Sequence, residues 1–336
     1  MELNKKTTVY YYKNNRNNSL DGCKIAILGY GSQGRAQALN LRDSGHEIVI
    51  GNLEDEYAAQ ARDDGFKVSD FHSAVSGSNI VFLLLPDHVH KYVYENNIKE
   101  NIKEGSMLIV AHGYSINFGD LKAGNNHDLC LLAPRMPGAP IREQYLLGHG
   151  SPAFFAVEID FSGGALNKLL KLSDDLGFTK AGIIQTTIAE ETEIDLFIEQ
   201  YFLPNLIGSI DRAFKFLVEN GFNPEISLME LYASGEVGDL LTRAAKSGIY
   251  NVWEENASPT CRFGIMSNID RVIPEIDSTK KMSETLQNIR SGHFKNMLDI
   301  EAEKNYFNLA EFDNLNKVSL MHSTQRNINN IIKNAN

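Results

Sequence analysis

The sequence predicts an α/β protein in two parts, a doubly wound parallel sheet followed by an all-helical domain. Three observations predict it. Uninterrupted apolar runs alternate with helix-compatible segments through residue 187, the pattern of a parallel sheet covered on both faces. A Gly-x-Gly-x-x-Gly run (Gly29, Gly31, Gly34) stands between the first apolar run and the first helical one. From Ile188 onward the pattern is helical almost to the end. The expected domains are therefore 1–187, binding a dinucleotide, and 188–336.

The first strand is Lys24–Leu28, and the helix-compatible run Arg35–Ser44 follows the glycines. Strand before and helix after make these glycines a dinucleotide fingerprint. Gly29 permits the tight turn, Gly31 lets the backbone approach the pyrophosphate, and Gly34 allows close helix–strand packing. The helix start offers N–H groups to the phosphates. The second strand, His46–Ile50, ends at Gly51 and leads into Asn52, Leu53, Glu54, Asp55, Glu56 and Tyr57. Three carboxylates, and no cation before Arg62, favour NADH over NADPH, although these acids also suit the positive end of a following helix. The alternation continues through Ile80–Leu85, Met107–Ala111, Leu129–Ala133 and Ala153–Val157, all expected as parallel strands. Ligands sit at the carboxyl ends of such strands, where Pro86-Asp87, His112-Gly113 and Arg135 stand.

The second domain opens on Glu190–Gln200. In a helix, Glu191, Asp195 and Glu199 fall on one face at four-residue intervals, where like charges repel. A divalent cation would relieve that repulsion, Mg²⁺ taking one or two carboxylates and keeping positions for water and substrate. A solvated acidic face is the other reading. Helices are expected over Ile188–Asn220, bent at Pro204, and over Pro224–Ser247, Ile276–Ser291 and Leu298–Asn308. Glu230 adds a candidate ligand from the second of these, and Ser258-Pro259-Thr260 reads as a polar loop suited to a small anionic substrate. The tail after Phe312, rich in Asn and Lys, reads as loosely ordered.

The chain has 336 residues, enough for two domains, and a formal net charge of −11, which argues against a nucleic-acid partner. Three dispersed cysteines (Cys23, Cys130, Cys261) indicate a reducing compartment, and the cytoplasm is the expected location. The polar Met1–Asn18 start has no apolar centre and does not read as a signal peptide. The longest apolar run, Ile80–Leu85, is too short for a bilayer, so no membrane partner is expected.

Several stretches together resemble the ketol-acid reductoisomerases of branched-chain amino-acid synthesis, in their short bacterial form. They are Leu28–Gly45, Leu84–Asp87, Ala111–Gly113, Thr186-Thr187, Glu190–Gln200, Pro224–Ile226, Ser258–Gly264 and Ile289–Phe294. The resemblance spans about Leu20 to Phe312. It implies a Rossmann domain, a helical domain of the knotted type, and a homodimer or higher assembly with active sites completed between subunits. It also implies that Mg²⁺ polarises a 2-hydroxy-2-alkyl-3-oxo acid, an alkyl group migrates, and the nicotinamide reduces the resulting 2-oxo acid. Carried across, Asp195 bridges two metals, Glu199 completes the first site, Glu230 serves the second, and Ser258 holds the substrate carboxylate. His112 lines the nicotinamide pocket, and His112, Arg135, Asp195 and Glu199 form the catalytic set. Cofactor contacts fall on Gly29, Tyr30, Gly31, Ser32, Gln33, Gly34, Asn52, Glu54, Leu85, Pro86, Asp87, His112 and Gly138.

Two positions depart from the family pattern. Ser234 stands where a second glutamate follows the one matching Glu230, and Glu236 is six residues on, about 600° of helix rotation away. Arg135-Met136-Pro137-Gly138 replaces Lys-Gly-Pro-Gly, and arginine does not act as a proton-bearing group. The leading expectation is thus an NAD(P)H-dependent reductase of a small 2-oxo or 2-imino acid, assisted by Mg²⁺, without obligatory isomerisation. A full ketol-acid reductoisomerase and a catalytically silent cofactor-binding relative are the alternatives.

Overall fold

The computed structural model describes residues 7–11, 19–269 and 275–333. Positions 1–6 and 12–18 of the polar start lie outside them. The chain divides into two compact units, one ending at Ile194 and the other beginning at Asp195.

The first unit holds a sheet whose described strands are β1 (Val9–Tyr10), β2 (Lys24–Leu28), β3 (Glu47–Gly51), β4 (Lys67–Ser69), β5 (Ile80–Leu83), β6 (Met107–Val110), β7 (Asp128–Pro134), β8 (Ala153–Ile159) and β9 (Ile183–Gln185). Their order is β1-β9-β8-β7-β6-β5-β2-β3-β4. β2 pairs in parallel with β3 on one side and β5 on the other, so the order reverses there and opens a crevice beyond its carboxyl end. Alternate side chains of β2 enter two cores: Ile25 and Ile27 join Ile50, Phe82 and Ile109 on one face, while Ala26 and Leu28 join Val81, Leu83 and Val110 on the other. A strand buried on both faces must be apolar throughout, which is why its sequence reads as a continuous run.

One strand expectation is corrected. β8 is antiparallel to β7, Ala133 facing Phe154. The connection through the helix Gly138–Leu146 returns the chain beside β7 in reverse direction, and apolar content alone does not encode direction. β4 and β9, at three residues each, are too short to show a period.

The second unit is helical throughout its described residues, with Phe214, Leu228 and Ile328 forming a buried cluster. Three helix expectations change. The Pro224–Ser247 stretch is not one helix: Pro224–Leu228 runs into a π-helical turn, Met229–Ala233, and stops at Ser234-Gly235 before Glu236–Ser247. Gly235 takes φ +84°, which glycine adopts without a Cβ penalty. The Leu298–Asn308 stretch divides into His293–Glu303 and Phe307–Lys317, the chain turning through positive φ at Asn305 and Tyr306. The tail after Phe312 forms the end of that helix and a further one, Leu320–Lys333, which contributes Ile328 to the cluster. Asn327, Asn329 and Asn330, exposed on its outer positions, conceal an apolar stripe at helical spacing. No helix among the described residues is long and apolar enough to cross a membrane.

Candidate active site

The fingerprint turn follows β2. Gly29 has φ +95° and donates its N–H to Gly51 O at 2.9 Å. A Cβ on Gly34 would lie 2.0 Å from Gly29 O, so the helix Ser32–Asp43 starts in contact with the strand exit. Gly31 differs, because an added Cβ would meet nothing within 4 Å. Its smallness leaves open space, and a cleft of about 590 Å³ lies there, bordered by Gly31, Ser32, Asn52, Leu85 and Pro86. Gly138 is held from behind: its N–H donates to Ser32 Oγ at 3.2 Å, and a Cβ would come 1.9 Å from Ser32 O. Gln33 Nε2 donates to Met136 O at 2.9 Å, so the Arg135–Gly138 segment buttresses the fingerprint.

At the end of β3, Asn52 is buried and bridges two chain segments. Its Oδ1 accepts from Tyr30 N at 3.3 Å, and its Nδ2 donates to Asp55 Oδ1 at 2.8 Å. Asp55 also caps the helix Glu56–Asp63, accepting from Ala58 N at 3.0 Å. Glu54 remains exposed and pairs with Arg62, which lowers its carboxyl pKa. The cation absent from the loop itself thus reaches it from one helix further on. Tyr30 and Arg35 converge on Asp64, Tyr30 Oη donating at 2.9 Å and Arg35 Nε at 2.7 Å. The Arg35 hydrogen bond is the main cause holding the Asp64 carboxyl below its usual range.

Beyond β5 and β6 the turns are cross-tied. His112 Nδ1 donates to Asp87 Oδ2 at 2.9 Å, since a carboxylate only accepts. His90, on the helix Asp87–Val93, sets Nε2 2.8 Å from Leu85 O and Nδ1 2.9 Å from Ser115 Oγ. Gly113 donates to Glu191 Oε2 at 2.9 Å, and a Cβ there would lie 2.4 Å from Thr192 Oγ1. Only glycine lets the helix Ile188–Phe197 approach so closely. Arg135 donates from Nη2 to Glu191 Oε1 at 2.9 Å and lies 4.9 Å from the centre of the Phe154 ring.

Glu191 therefore does not belong to a solvated acidic face; it is 1 % exposed and held by an arginine and a backbone amide. Its helix starts at Thr187, whose Oγ1 accepts from Glu190 N at 3.1 Å. The same helix continues unbroken across the unit boundary to Asp195, one turn on. Among the described residues of the first unit, His112 and Glu191 each offer a ligand atom, within 4.8 Å of one another.

Glu199 lies in a π-helical turn, Ile198–Phe202, immediately before Pro204. A proline lacks the N–H that an α-turn would use, and the wider turn accommodates that gap. Glu230 occupies the π-helical turn Met229–Ala233. Such turns often mark functional sites. The rotation that sets Glu236 apart from Glu230 does not hold here, because Glu236 begins a new helix and its N–H faces Ser234 Oγ at 3.4 Å. Ser258 is not in a loop with Pro259 and Thr260; it caps the helix Pro259–Met266, its Oγ accepting from Cys261 N at 3.2 Å. Asp195, Glu199 and Glu230 are hard oxygen donors of the kind Mg²⁺ takes, and no soft ligand accompanies them in the expected set.

Sequence reasoning missed His90 and Ser115, and left Glu191 between a metal-holding and a solvated face. No spacing marks the first two; Glu191 carried a signal in Thr187-x-x-Glu190, which fixes where its helix starts and so which side Glu191 takes.

Residues 19–182 match the family described as acetohydroxy acid isomeroreductase, NADPH-binding domain, and residues 188–334 match the ketol-acid reductoisomerase C-terminal domain. The chain is 40% identical over 278 residues to a ketol-acid reductoisomerase (NADP(+)) of Pyrobaculum aerophilum, covering 82% of this chain and 83% of the relative. It is 36% identical over 323 residues to the enzyme of that name from Methanocaldococcus jannaschii, covering 95% and 96%. A solved structure of an NADH-preferring ketol-acid reductoisomerase from an uncultured archean superposes with a TM-score of 0.90 at 30% identity, covering 96% of this chain and 98% of that one. The chain belongs to the ketol-acid reductoisomerase family and is an oxidoreductase of its NAD(P)H-dependent type.

Proposed function

We propose that this protein is a full ketol-acid reductoisomerase, which rearranges a 2-hydroxy-2-alkyl-3-oxo acid and reduces the product with a nicotinamide cofactor. The observation that carries this reading is the joined arrangement of Asp87–His112 and Gly113–Glu191–Arg135 beyond the carboxyl ends of β5, β6 and β7, beside the dinucleotide cleft. Relatives of that name align along most of the chain, which favours the rearrangement over the simple reduction expected from Ser234 and Arg135.

The residues divide the work by their chemistry. Arg135 carries a permanent positive charge and no removable proton near neutrality, so it holds negative charge on the substrate and transfers nothing. Its planar fork is oriented by Glu191 and by stacking on Phe154. Proton movement falls to His112, whose ring is oriented by Asp87. Mg²⁺ held by Asp195, Glu199 and Glu230 would supply Lewis-acid polarisation of the substrate oxygens. Ser258 is assigned to the substrate carboxylate: its Oγ accepts the Cys261 N–H in the cap, and its O–H can donate to the carboxylate at the same time. Gly29, Tyr30, Gly31, Ser32 and Gln33, with Asn52, Leu85 and Pro86, border the cleft assigned to the dinucleotide; Gly34, Glu54 and Asp87, outside its lining, are assigned to the cofactor with them, and Gly138 supports it through Ser32. The bound form is NADH: Glu54 and Asp55 repel a 2′-phosphate, as fits a family with an NADH-preferring member.

Self-association through the helical unit accords with its exposed large apolar side chains, among them Ile207, Phe216, Phe263 and Phe312. The boundary proposed between the cofactor-binding and metal-binding parts remains 187/188, at the start of the helix bearing Glu191 and Asp195.

Incubation with 2-acetolactate, Mg²⁺ and NADH tests the function. Cofactor oxidation with formation of the 2,3-dihydroxy acid is expected. Turnover of only the rearranged 3-hydroxy-2-oxo acid would instead establish a reductase without isomerisation, the outcome that Ser234 and Arg135 favour. No turnover of either acid, with dinucleotide still bound, would mark a silent relative.

A further inference from the structure

We infer that His90 is a positioning residue for His112: it ties the turn after β5 to the turn after β6 and so holds the Asp87 carboxylate against His112 Nδ1. The inference rests on the proposed role of His112 and extends it to a buried side chain, His90.

The proton on His90 is assigned by its partners. Leu85 O can only accept, so the nitrogen 2.8 Å from it, Nε2, carries hydrogen. His90 is 2 % exposed, and burial pushes its pKa down, favouring the neutral ring. Nδ1 then accepts, and Ser115 Oγ donates to it at 2.9 Å. Ser115 is itself buried. The imidazole thus joins Leu85, at the end of one strand, to Ser115, three residues beyond His112.

Asp87 lies between the two histidines. Its Oδ2 takes the His112 proton at 2.9 Å, while its Oδ1 faces the proton-free His90 Nδ1 at 3.7 Å, too far for a hydrogen bond. A neutral His90 therefore leaves the carboxylate to His112, whereas a donor at Nδ1 would compete for it. The same helix presents Val89 and Val93 to the dinucleotide cleft, so anchoring His90 also fixes one cleft wall.

The test compares His90→Phe, which fills the volume without polar atoms, with His90→Gln, whose amide nitrogen can still reach Leu85 O. Ring-¹⁵N spectra report the His112 tautomer independently of any substrate. Expected for His90→Phe is loss of the single Nδ1–H form of His112, a fall in kcat of about tenfold or more, and a change in cofactor KM below about threefold. His90→Gln should recover most of both effects. A His112 tautomer unchanged in His90→Phe overturns the inference whatever the activity does. Should that variant not fold, Ser115→Ala carries the test: a mixed His112 tautomer supports the inference and an unchanged one overturns it. Failure of the wild type to turn over 2-acetolactate would overturn the proposed reaction and leave the tautomer result standing.

Discussion

Arg135 donates to Glu191 at 2.9 Å, and the other oxygen of that carboxylate accepts the Gly113 N–H at the same distance. One buried acid thus joins the turn after β6, the end of β7 and the helix leading to Asp195. A guanidinium is for that reason well accommodated here. It fills a position defined by a carboxylate and an aromatic face, both of which suit a guanidinium.

Removing the acid should show what the link is worth. Glu191→Ala leaves the Gly113 N–H and the Arg135 charge without this partner in a largely buried place. Allowing for the partial exposure of Arg135, a loss of about 2–3 kcal/mol is expected in urea unfolding, together with a large fall in kcat. Glu191→Gln retains an acceptor for Gly113 and should lose less stability. A stable and fully active Glu191→Ala protein would contradict the assignment.

Cofactor choice is checked by titration with NADH and NADPH, following nicotinamide fluorescence. A preference for NADH of about tenfold is expected from the carboxylates at the end of β3. Glu54→Gln should narrow it by leaving Arg62 without this carboxylate partner. Tighter binding of NADPH by the unaltered protein would refute the reading.

Calorimetry should find one strong Mg²⁺ site and a weaker second. In the proposed site Asp195 and Glu199 supply two charges, whereas Ser234 offers only a neutral oxygen. Asp195→Asn should lose the strong site and still bind the dinucleotide, because the fingerprint depends on none of these groups. Two equivalent tight sites without substrate would be the contrary result.

Stability should fall as pH drops from 7 toward 5. Burial holds the pKa of His90 below 6.5 in the fold, with Asp87 partly opposing the shift and His112 and His88 adding to it. The unfolded chain therefore binds protons that the folded chain excludes, and stability present above the unfolded pKa is lost as pH falls toward the folded one. His127, also depressed by burial, contributes in the same direction. His90→Phe should flatten the pH dependence of the melting temperature in this window without abolishing it. A steeper dependence in that variant would show that His90 is charged in the fold.

Much of this protein is determined by sequence. The continuous apolar run of β2 requires a strand covered on both faces, and Gly29 and Gly34 allow the turn and helix contact that follow, because no other residue fits φ +95° or a 2.0 Å approach. The helical second half follows from its apolar period, and the resemblance rests on motifs present in order. Tertiary structure alone decided the rest. The direction of β8 depends on how the chain returns, not on its residues. The break at Gly235 replaces a rotation argument that assumed an unbroken helix. Glu191 read as one acid in an acidic row, and only packing against Gly113 and Arg135 made it a buried partner. His90 gained its role from a carbonyl five residues back and a hydroxyl 25 residues on. Local sequence sets backbone preference and period, but which polar groups meet is set by strand order, and strand order is a property of the whole sheet.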